Sequence, residues 1–334
     1  KPFQDLYSPS TKLLEKNVNK LLDKRYSIPE FFIRPLLFQI DPRSIDTRNH
    51  QHNYIRFKSL APLGEILDRV SREEQFFSIL IYNRGRNHLI PDDFGFYVAS
   101  YMKTKEDFKK IKNNEEQCSY FARYILSNLT LIYDPENRGR ITRQNFVKHD
   151  FLRNLDEIFN FDKFLEIYNL FNDLDIRKSK QLSFDELLLF DHKRIHPKVL
   201  ERVWKYLPGN RIDEKISFGS FVFYILLLEE KEREASLNFW FRICDFDEDG
   251  ILSLREMEVW FSYQKQMLKA MNADTEDFTQ LVPQIMDMMG SNDIHWTRSQ
   301  IKNSEHWPRL FNILIDPKLF YGYFALTEDY SPNI

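Results

Sequence analysis

The chain has 334 residues, of which 43% are hydrophobic and 15% aromatic, with 30 phenylalanines and 16 tyrosines. This composition argues against a disordered chain, and the length suits one large or two moderate domains. The net charge of −3 provides no general attraction for nucleic acid or an anionic membrane, and no apolar run approaches the ~18 residues of a membrane span.

The two cysteines, Cys118 and Cys244, are too few for a disulfide framework, which favours a reducing, intracellular compartment. The chain begins at Lys1, and we therefore expect it to be an excised piece of a longer protein.

Residues 1–53 are predicted to form an extended or partner-binding N-terminal segment. Its apolar part, residues 27–42, is interrupted by Pro29, Pro35 and Pro42, a spacing unfavourable to a core helix. We therefore expect either an extended strap or an exposed surface for a partner. Residues 41–53 are predicted to be a polar linker. The apolar side chains are Ile28, Phe31, Phe32, Ile33, Leu36, Leu37, Phe38 and Ile40.

The rest of the chain is predicted to be all-α. Apolar residues recur at helical spacing in residues 120–133, 161–174, 198–206 and 221–233. Residues 54–160 are expected to form a helical domain with degenerate EF-like units, and residues 161–334 an EF-hand region.

Residues 245–256 have the composition and spacing of a complete calcium-binding loop. Calcium binds six to eight oxygens, and this loop offers them from its positions 1, 3, 5, 7, 9 and 12. Gly250 at position 6 permits the sharp turn, because glycine accepts positive φ without steric cost. The predicted ligands are Asp245, Asp247, Asp249, the Ile251 carbonyl, Ser253 and Glu256.

Both flanks of the loop have apolar residues on one helical face, as an EF-hand requires. The alternative, an acidic surface turn that binds nothing, is disfavoured because the loop and both flanks match together. The flanking residues are Leu237, Trp240, Phe241 and Cys244 before the loop, and Met257, Trp260 and Phe261 after it.

Weaker copies of the loop recur along the chain. Position 8, Leu252, is aliphatic because paired loops meet there in a short two-stranded ribbon; Ser253 follows it, and Met257 lies five residues on. The same pattern occurs at intervals of about 34–41 residues. The copies are Ile141 with Phe146, Leu182 with Leu187, and Ile216 with Phe221; fainter candidates, for which chance recurrence stays an open alternative, are Leu89 with Phe94 and Trp296 with Ile301. The sequence thus predicts an elongated array of EF-hand-like helix-loop-helix pairs with two-residue β contacts between paired loops.

The copies have lost calcium ligands to different degrees. The loop at residues 175–186 keeps Asp175, Ser179 and Glu186 but has Arg177 at position 3 and Lys180 at the glycine position. A cation among the ligands opposes a divalent ion, so we interpret this loop as structural.

Two further copies are also interpreted as structural. The loop at residues 134–145 has Arg138 at position 5 and ends in Asn145, and residues 209–220 keep almost no acidic ligands. One calcium site per chain is therefore expected.

We find no enzymatic motif. His192 and His196 are four residues apart, but Pro197 follows and no HExxH is present. There is no GxSxG, and the nine glycines form neither common phosphate-binding loop. A binding or regulatory protein is the better interpretation.

Several segments, taken in order, resemble the B-double-prime (B″) regulatory subunits of protein phosphatase type 2A. Two of them, residues 285–288 and residues 313–316 with Phe320, are most similar to the branch associated with centrosomes and cortical microtubules. The resemblance covers about residues 27–330. The segments are residues 27–32, 134–141, 150–152, 174–186, 240–256, 285–288 and 313–316 with Phe320.

The resemblance implies a non-catalytic subunit that binds the HEAT-repeat scaffold and the catalytic subunit of the phosphatase and directs it to substrates. It also implies a cytoplasmic location, at centrosomes, the spindle or cortical microtubules, with a targeting protein there. Two other classes stay open, a free-standing EF-hand calcium sensor and an adaptor with a purely structural EF-hand.

Overall fold

The structure, a computed structural model, describes residues 1–42, 54–190, 194–208, 215–273 and 275–320. Within these residues the chain is helical, and its β-structure consists of strands of two or three residues and one isolated bridge. No described helix is long and apolar enough to cross a membrane. The chain divides into two compact units, Lys1–Phe164 and Leu165–Ile334.

The first unit contains two pairs of short β contacts and the helices that flank them. Its elements are β1 (Lys12–Leu14), α1 (Glu15–Tyr26), α2 (Glu30–Ile40), β2 (Tyr54–Arg56), α3 (Phe57–Leu67), α4 (Arg72–Ile81), α5 (Gly95–Met102), α6 (Phe108–Ile111), α7 (Glu115–Tyr133), α8 (Arg143–Lys148) and α9 (Leu155–Ile158), with α10 (Phe161–Leu174) beginning in this unit.

The second unit contains the end of α10 and two further pairs of strands. Its elements are β3 (Gln181–Leu182), α11 (Phe184–Leu187), α12 (Pro197–Tyr206), β4 (Ile216–Ser217), α13 (Phe218–Glu229), α14 (Glu234–Cys244), β5 (Ile251–Ser253), α15 (Leu254–Ala270), α16 (Phe278–Met289), β6 (His295–Thr297), α17 (Arg298–Ser304) and α18 (Trp307–Ile315).

Four antiparallel contacts join the loops in consecutive pairs. Leu13 lies opposite Ile55, Leu89 opposite Ile141, Leu182 opposite Ile216, and Leu252 opposite Trp296. All eight side chains are buried, as are the residues five positions later in each unit. We number these the first to fourth pairs. The predicted all-α fold of paired EF-like units is confirmed, and Leu89 and Trp296, the two faint candidates, are members of pairs.

The first pair was not found from the sequence. Its residues five positions on, Val18 and Leu60, are fully buried and fit the pattern. The residues after Leu13 and Ile55, however, are Leu14 and Arg56, which cap α1 and α3 without a side-chain hydrogen bond. The Ser or Thr that usually follows position 8 is missing, so the pattern was incomplete.

In five of the six units of the other pairs a Ser or Thr at this position starts the exiting helix; the exception is the unit of Leu89, where Ile90 follows. The Ser or Thr hydroxyl accepts a hydrogen bond from the backbone N–H three residues on, which satisfies one of the unpaired donors of the first turn. Such caps are made by Thr142, Ser183, Ser217, Ser253 and Thr297.

The extended strap expected near residues 27–42 is wrong, because α2 occupies this segment with Pro35 inside the helix. A proline in a helix costs about 3 kcal/mol. Full burial of an apolar side chain contributes about 1.5–3 kcal/mol, and Phe32, Ile33, Leu36 and Leu37 are all buried. Burial therefore outweighs the cost of the proline.

The predicted helices at residues 120–133, 161–174 and 198–206 are found as α7, α10 and α12. The one at residues 221–233 ends earlier, because α13 stops at Glu229. The Lys231 ammonium donates a hydrogen bond to the Leu228 carbonyl at 2.7 Å, which provides a partner for one of the last carbonyls of α13.

Some predictions lie outside the described residues. These are the linker beyond residue 42, His192 of the histidine pair, residues 209–214 of the third structural loop, and the chain after residue 320.

Candidate metal centre

The helices α14 and α15 position the loop at residues 245–256. Leu237, Trp240 and Cys244 of α14 are fully buried, as is Met257 of α15. At the base of the loop the indole N–H of Trp260 donates to the carbonyl of Cys244 at 2.7 Å, which joins the two helices directly. The loop is thus held between two anchored helix ends.

Three of the predicted ligand carboxylates converge. Oxygens of Asp245, Asp247 and Asp249 lie within 4.8 Å of one another. The turn is closed by the backbone N–H of Gly250, which donates to Asp245 Oδ2 at 2.9 Å, with Gly250 at φ +84°. Among the described residues this is the one such cluster of metal-ligating groups.

Asp245 has an unsatisfied oxygen. Its side chain is 5% exposed, and its Oδ1 is buried without a hydrogen-bond partner. Burial raises the pKa of Asp245, the Gly250 N–H lowers it, and the negative charges of Glu256 and Asp249 raise it further. A buried carboxylate oxygen among other carboxylates fits a hard divalent cation, since such a cation would supply the missing partner.

Glu256, predicted to close the site, is not part of the carboxylate cluster in this structure. Its Oε1 accepts the Phe246 N–H at 2.9 Å, and its Oε2 accepts the N–H and hydroxyl of Ser253 at 2.8 and 2.9 Å. Ser253 is in turn the N-cap of α15. The Ile251 carbonyl belongs to β5, opposite Thr297. The structure therefore brings together Asp245, Asp247 and Asp249, whereas Glu256 and Ser253 are hydrogen-bonded to each other.

The loop at residues 175–186 has a similar backbone but a different charge. Asp175 is buried and accepts the N–H groups of Ser179 and Lys180 at 2.8 and 2.7 Å. Lys180 adopts φ +60° where the calcium loop has glycine. The Lys215 ammonium donates to the Ser179 hydroxyl at 3.1 Å. The Lys215 ammonium thus lies beside Ser179, one of the residues at a metal-ligand position of this loop.

The loop at residues 134–145 keeps its turn without a ligand cluster. Gly139 has φ +68°, and Asp134 Oδ2 accepts the Arg140 N–H at 3.2 Å. Arg138, at position 5, lies 3.8 Å from Glu136.

Sequence reasoning missed an arginine cluster in the loop that contains Leu89. Aligned on Leu89 as position 8, Arg84 and Arg86 occupy positions 3 and 5, and Asp93 position 12. Arg84 Nη1 lies 3.2 Å from Asp93 Oδ1, and Arg86 forms an ion pair with the other oxygen. The Ile90 N–H donates to Asp93 at 2.8 Å, as Ser253 does to Glu256. The fixed spacing from Leu89 and Phe94 is the signal that identifies this cluster.

The chain is similar to curated regulatory subunits of one phosphatase. It is 26% identical over 251 residues to the human B″-type beta regulatory subunit of serine/threonine-protein phosphatase 2A, covering 70% of this chain and 43% of that protein. It is 23% identical over 324 residues to the probable B″epsilon regulatory subunit of the same phosphatase in Arabidopsis thaliana, covering 92% of this chain and 60% of that protein. No family model matches the chain.

The fold has a close counterpart among solved structures. A chain described as belonging to a PP2A PR70 holoenzyme superimposes with a TM-score of 0.66 at 20% identity, covering 74% of this chain and 97% of that one. The chain spans about half the length of the curated relatives it matches.

Proposed function

We infer a regulatory, non-catalytic role for this chain from its membership of the B″ family of protein phosphatase 2A subunits, which is shown by sequence similarity and agrees with the fold. The resemblance stated from the sequence is thereby confirmed at the level of the family. We propose that the chain binds the HEAT-repeat scaffold and the catalytic subunit of a type 2A phosphatase and directs dephosphorylation to chosen substrates. The observation that carries this proposal is the similarity to B″ subunits along 92% of the chain.

We further propose one calcium ion at residues 245–256, bound by Asp245, Asp247, Asp249, the Ile251 carbonyl, Ser253 and Glu256. The convergence of three carboxylates and the unpaired buried oxygen of Asp245 support the site. Calcium, when bound, supplies the positive charge that offsets the mutual repulsion of these groups. The PR70 neighbour is described with two calcium ions. In this chain Arg177 and Lys180 argue against a second ion at residues 175–186.

The role of the site is to set the geometry of the two helices that flank it. Asp245 ends α14, Ser253 caps α15, and Trp260 joins both helices through the Cys244 carbonyl. A loop whose carboxylates repel one another holds this arrangement less firmly than one whose charges are balanced. Because the ion fixes the angle between α14 and α15, scaffold binding would depend on calcium.

Five of the eight apolar side chains for which the sequence predicted a strap or a partner surface are buried: Ile28, Phe32, Ile33, Leu36 and Leu37. Phe32 packs against the rings of Phe76, Tyr97 and Phe151, at centroid distances of 5.1, 4.8 and 5.9 Å. These side chains form core rather than a docking surface.

Recovery of phosphatase subunits tests the proposed function. Wild-type chain should retain the scaffold and catalytic subunits from a mixture of purified proteins, and Asp245→Ala with Asp247→Ala should retain less of both. Glu276→Gln, an exposed change outside the loop, is the control and should behave as wild type. If the folded wild type retains neither of them, the phosphatase assignment fails, and a free-standing sensor or adaptor replaces it. Equal retention of the subunits with and without calcium would agree with the phosphatase assignment but would contradict the role proposed for the ion.

A place at centrosomes, the spindle or cortical microtubules, through a targeting protein, is a separate proposal. It is supported by the resemblance of residues 285–288 and 313–316 to one branch of the family. Imaging of the tagged chain in dividing cells tests it, and a uniform cytoplasmic distribution would contradict it.

A further inference from the structure

Helix α12 reaches from the third pair to the proposed calcium loop in the fourth. It is the helix that precedes β4, whose own loop keeps almost no acidic residues, yet it packs against α14. Arg202, half-buried in the middle of α12, is the central contact. Its Nη2 donates to the carbonyl oxygens of Asp245 at 2.9 Å and Arg242 at 3.0 Å, and its Nη1 to that of Phe246 at 3.3 Å.

These carbonyls lie where α14 ends and the calcium loop begins. The last carbonyls of a helix have no intrahelical partner, and a cation at this end is favoured by the helix dipole. The planar guanidinium has several donors in a fixed geometry, so one side chain can bind three oxygens at once, which a lysine cannot do in the same way. Arg202 therefore holds the backbone of the first two loop residues, including that of Asp245.

A second group of contacts from α12 reaches the far side of the same turn. The Tyr206 hydroxyl contacts the Glu248 carboxylate, and Lys205 Nζ lies 3.2 Å from it. The guanidinium of Arg242 lies 4.1 Å from the centre of the Tyr206 ring. Asp247 thus lies between two points that α12 contacts, the backbone of Asp245 and Phe246 on one side and the Glu248 carboxylate on the other.

We propose that Arg202 is a positioning residue for the calcium loop, and that α12 couples calcium binding in the fourth pair to the placement of the third pair. The inference rests on the proposed calcium site. A loop whose backbone is already held in place loses less conformational freedom when it binds an ion, so its affinity is higher. Because coupling between two sites is reciprocal, calcium binding in turn holds α12 more firmly against α14.

The positive charge of Arg202 has the opposite effect on affinity, since it repels a cation. Two variants separate the effects. Arg202→Lys keeps the charge and loses the planar set of donors, whereas Arg202→Met loses both. Lys198→Met is the control, because it removes a cation from the same helix where Lys198 pairs only with Glu201 among the ion pairs of the described residues.

The experiment measures calcium binding by calorimetry and hydrogen exchange of α12 with and without calcium, on the whole chain. We expect Arg202→Lys to weaken calcium binding by about fivefold or more, the lower end of the usual range for coupled sites. In the wild type, calcium should slow hydrogen exchange in α12, and both Arg202 variants should reduce that effect. Lys198→Met should match the wild type in both measurements.

Unchanged affinity in Arg202→Lys would show that the planar donors do not position the loop, and tighter binding in Arg202→Met would show that repulsion outweighs positioning. Either result would overturn the inference. Calcium-independent exchange in wild-type α12 would overturn the coupling. If the Arg202 variants do not fold, as shown by melting in chelator, Tyr206→Phe replaces them and should weaken binding through loss of its contact with Glu248; unchanged affinity in that folded variant also overturns the inference. A wild type that binds no calcium contradicts the proposed site itself, which is a distinguishable result.

Discussion

Leu252 and Trp296 lie directly opposite each other in the ribbon formed by β5 and β6, and both are fully buried. The acidic loop is therefore paired with a loop that offers Gln300 where the acidic loop has Glu256. A partner without a full ligand set can still hold the calcium loop, because the pairing depends on backbone hydrogen bonds and on burial of these two side chains. This separates the structural function of the fourth pair from ion binding.

Calcium binding should have a stoichiometry of one per chain, with a dissociation constant of about 10⁻⁷ to 10⁻⁵ M if the loop behaves as a sensor. Glu256→Gln should weaken binding strongly, because it removes the charge of the ligand that closes the loop. Calorimetry provides both quantities, with the exposed Glu276→Gln as the matched control. A stoichiometry of two would show that residues 175–186 bind an ion after all, and undiminished binding by Glu256→Gln would place the site elsewhere.

Phe171→Ala should destabilise the second unit by about 3–5 kcal/mol, as expected for loss of a buried aromatic side chain. Phe171 is fully buried, with ring centroids of Phe218 and Phe221 at 5.2 and 5.6 Å. Asp175→Ala should cost less, about 1–3 kcal/mol, because it removes the buried carboxylate that accepts hydrogen bonds from the N–H groups of Ser179 and Lys180.

Urea unfolding of both variants, with and without calcium, measures these costs. Calcium bound at residues 245–256 should stabilise the wild type and both variants equally. The free-energy difference between each variant and the wild type should therefore be the same with and without calcium. A calcium-dependent cost of Asp175→Ala alone would show that Asp175 binds the ion.

Asp93→Ala should destabilise the first unit by about 1–3 kcal/mol whether calcium is present or not. Asp93 is buried and binds Arg84, Arg86 and the Ile90 N–H, so its loss leaves two cations and a donor without their acceptor. The neighbouring Asp92, which is exposed, provides the control variant Asp92→Ala. Thermal melts in chelator and in calcium test this; equal stability of the two variants would contradict the role of Asp93.

Stability should fall in acid as Asp316 becomes protonated. This carboxylate is 0% exposed and binds Arg194 Nη2 at 2.5 Å and Lys231 Nζ at 3.1 Å. Burial alone would raise the pKa of Asp316, but the charges of Lys231 and Arg194 and their hydrogen bonds outweigh it and lower the pKa below its ordinary value of 3.8. Because the folded pKa is depressed, the stabilisation is complete above the unfolded pKa and is lost as the pH falls through the folded one.

Asp316→Asn should therefore cost about 3–5 kcal/mol at neutral pH, as for other broken buried ion pairs. The difference from wild type should shrink below about pH 4, where the unfolded-state carboxyl binds its proton. Asp287→Asn, on the exposed side of α16, is the control. Chemical unfolding across this pH range measures the effect, and a difference that stays constant into acid would contradict it.

The fold could be predicted where local signals agreed. Ser253 and Thr142 cap their helices and follow an aliphatic residue, so these units were recognised from spacing alone. The units of Leu13 and Ile55 lack this Ser or Thr cap, so they are recognised only from the pairing of β1 with β2 in the structure. Helix α2 was missed because the local cost of Pro35 is visible in the sequence, whereas the burial that offsets it is a property of the folded unit.

The candidate site was predictable in its residues but not in its contacts. Spacing identified Asp245, Asp247 and Asp249, which converge. It did not show that Glu256 binds backbone N–H groups of Phe246 and Ser253, because a side-chain conformation depends on competing hydrogen-bond partners. The contact of Arg202 with the Asp245 carbonyl was also beyond the sequence, since it joins residues of different pairs.

The hydrogen bond from Trp260 to the Cys244 carbonyl provides the chain with an optical reporter of its own. The indole is buried at the junction of α14 and α15, so any change in the angle between these helices alters the polarity around the ring and its hydrogen bond. Tryptophan emission should therefore follow the state of the loop in solution without an attached dye. Of the chain's five tryptophans, Trp260 can be isolated by Trp260→Phe, which should remove the calcium-dependent part of the signal.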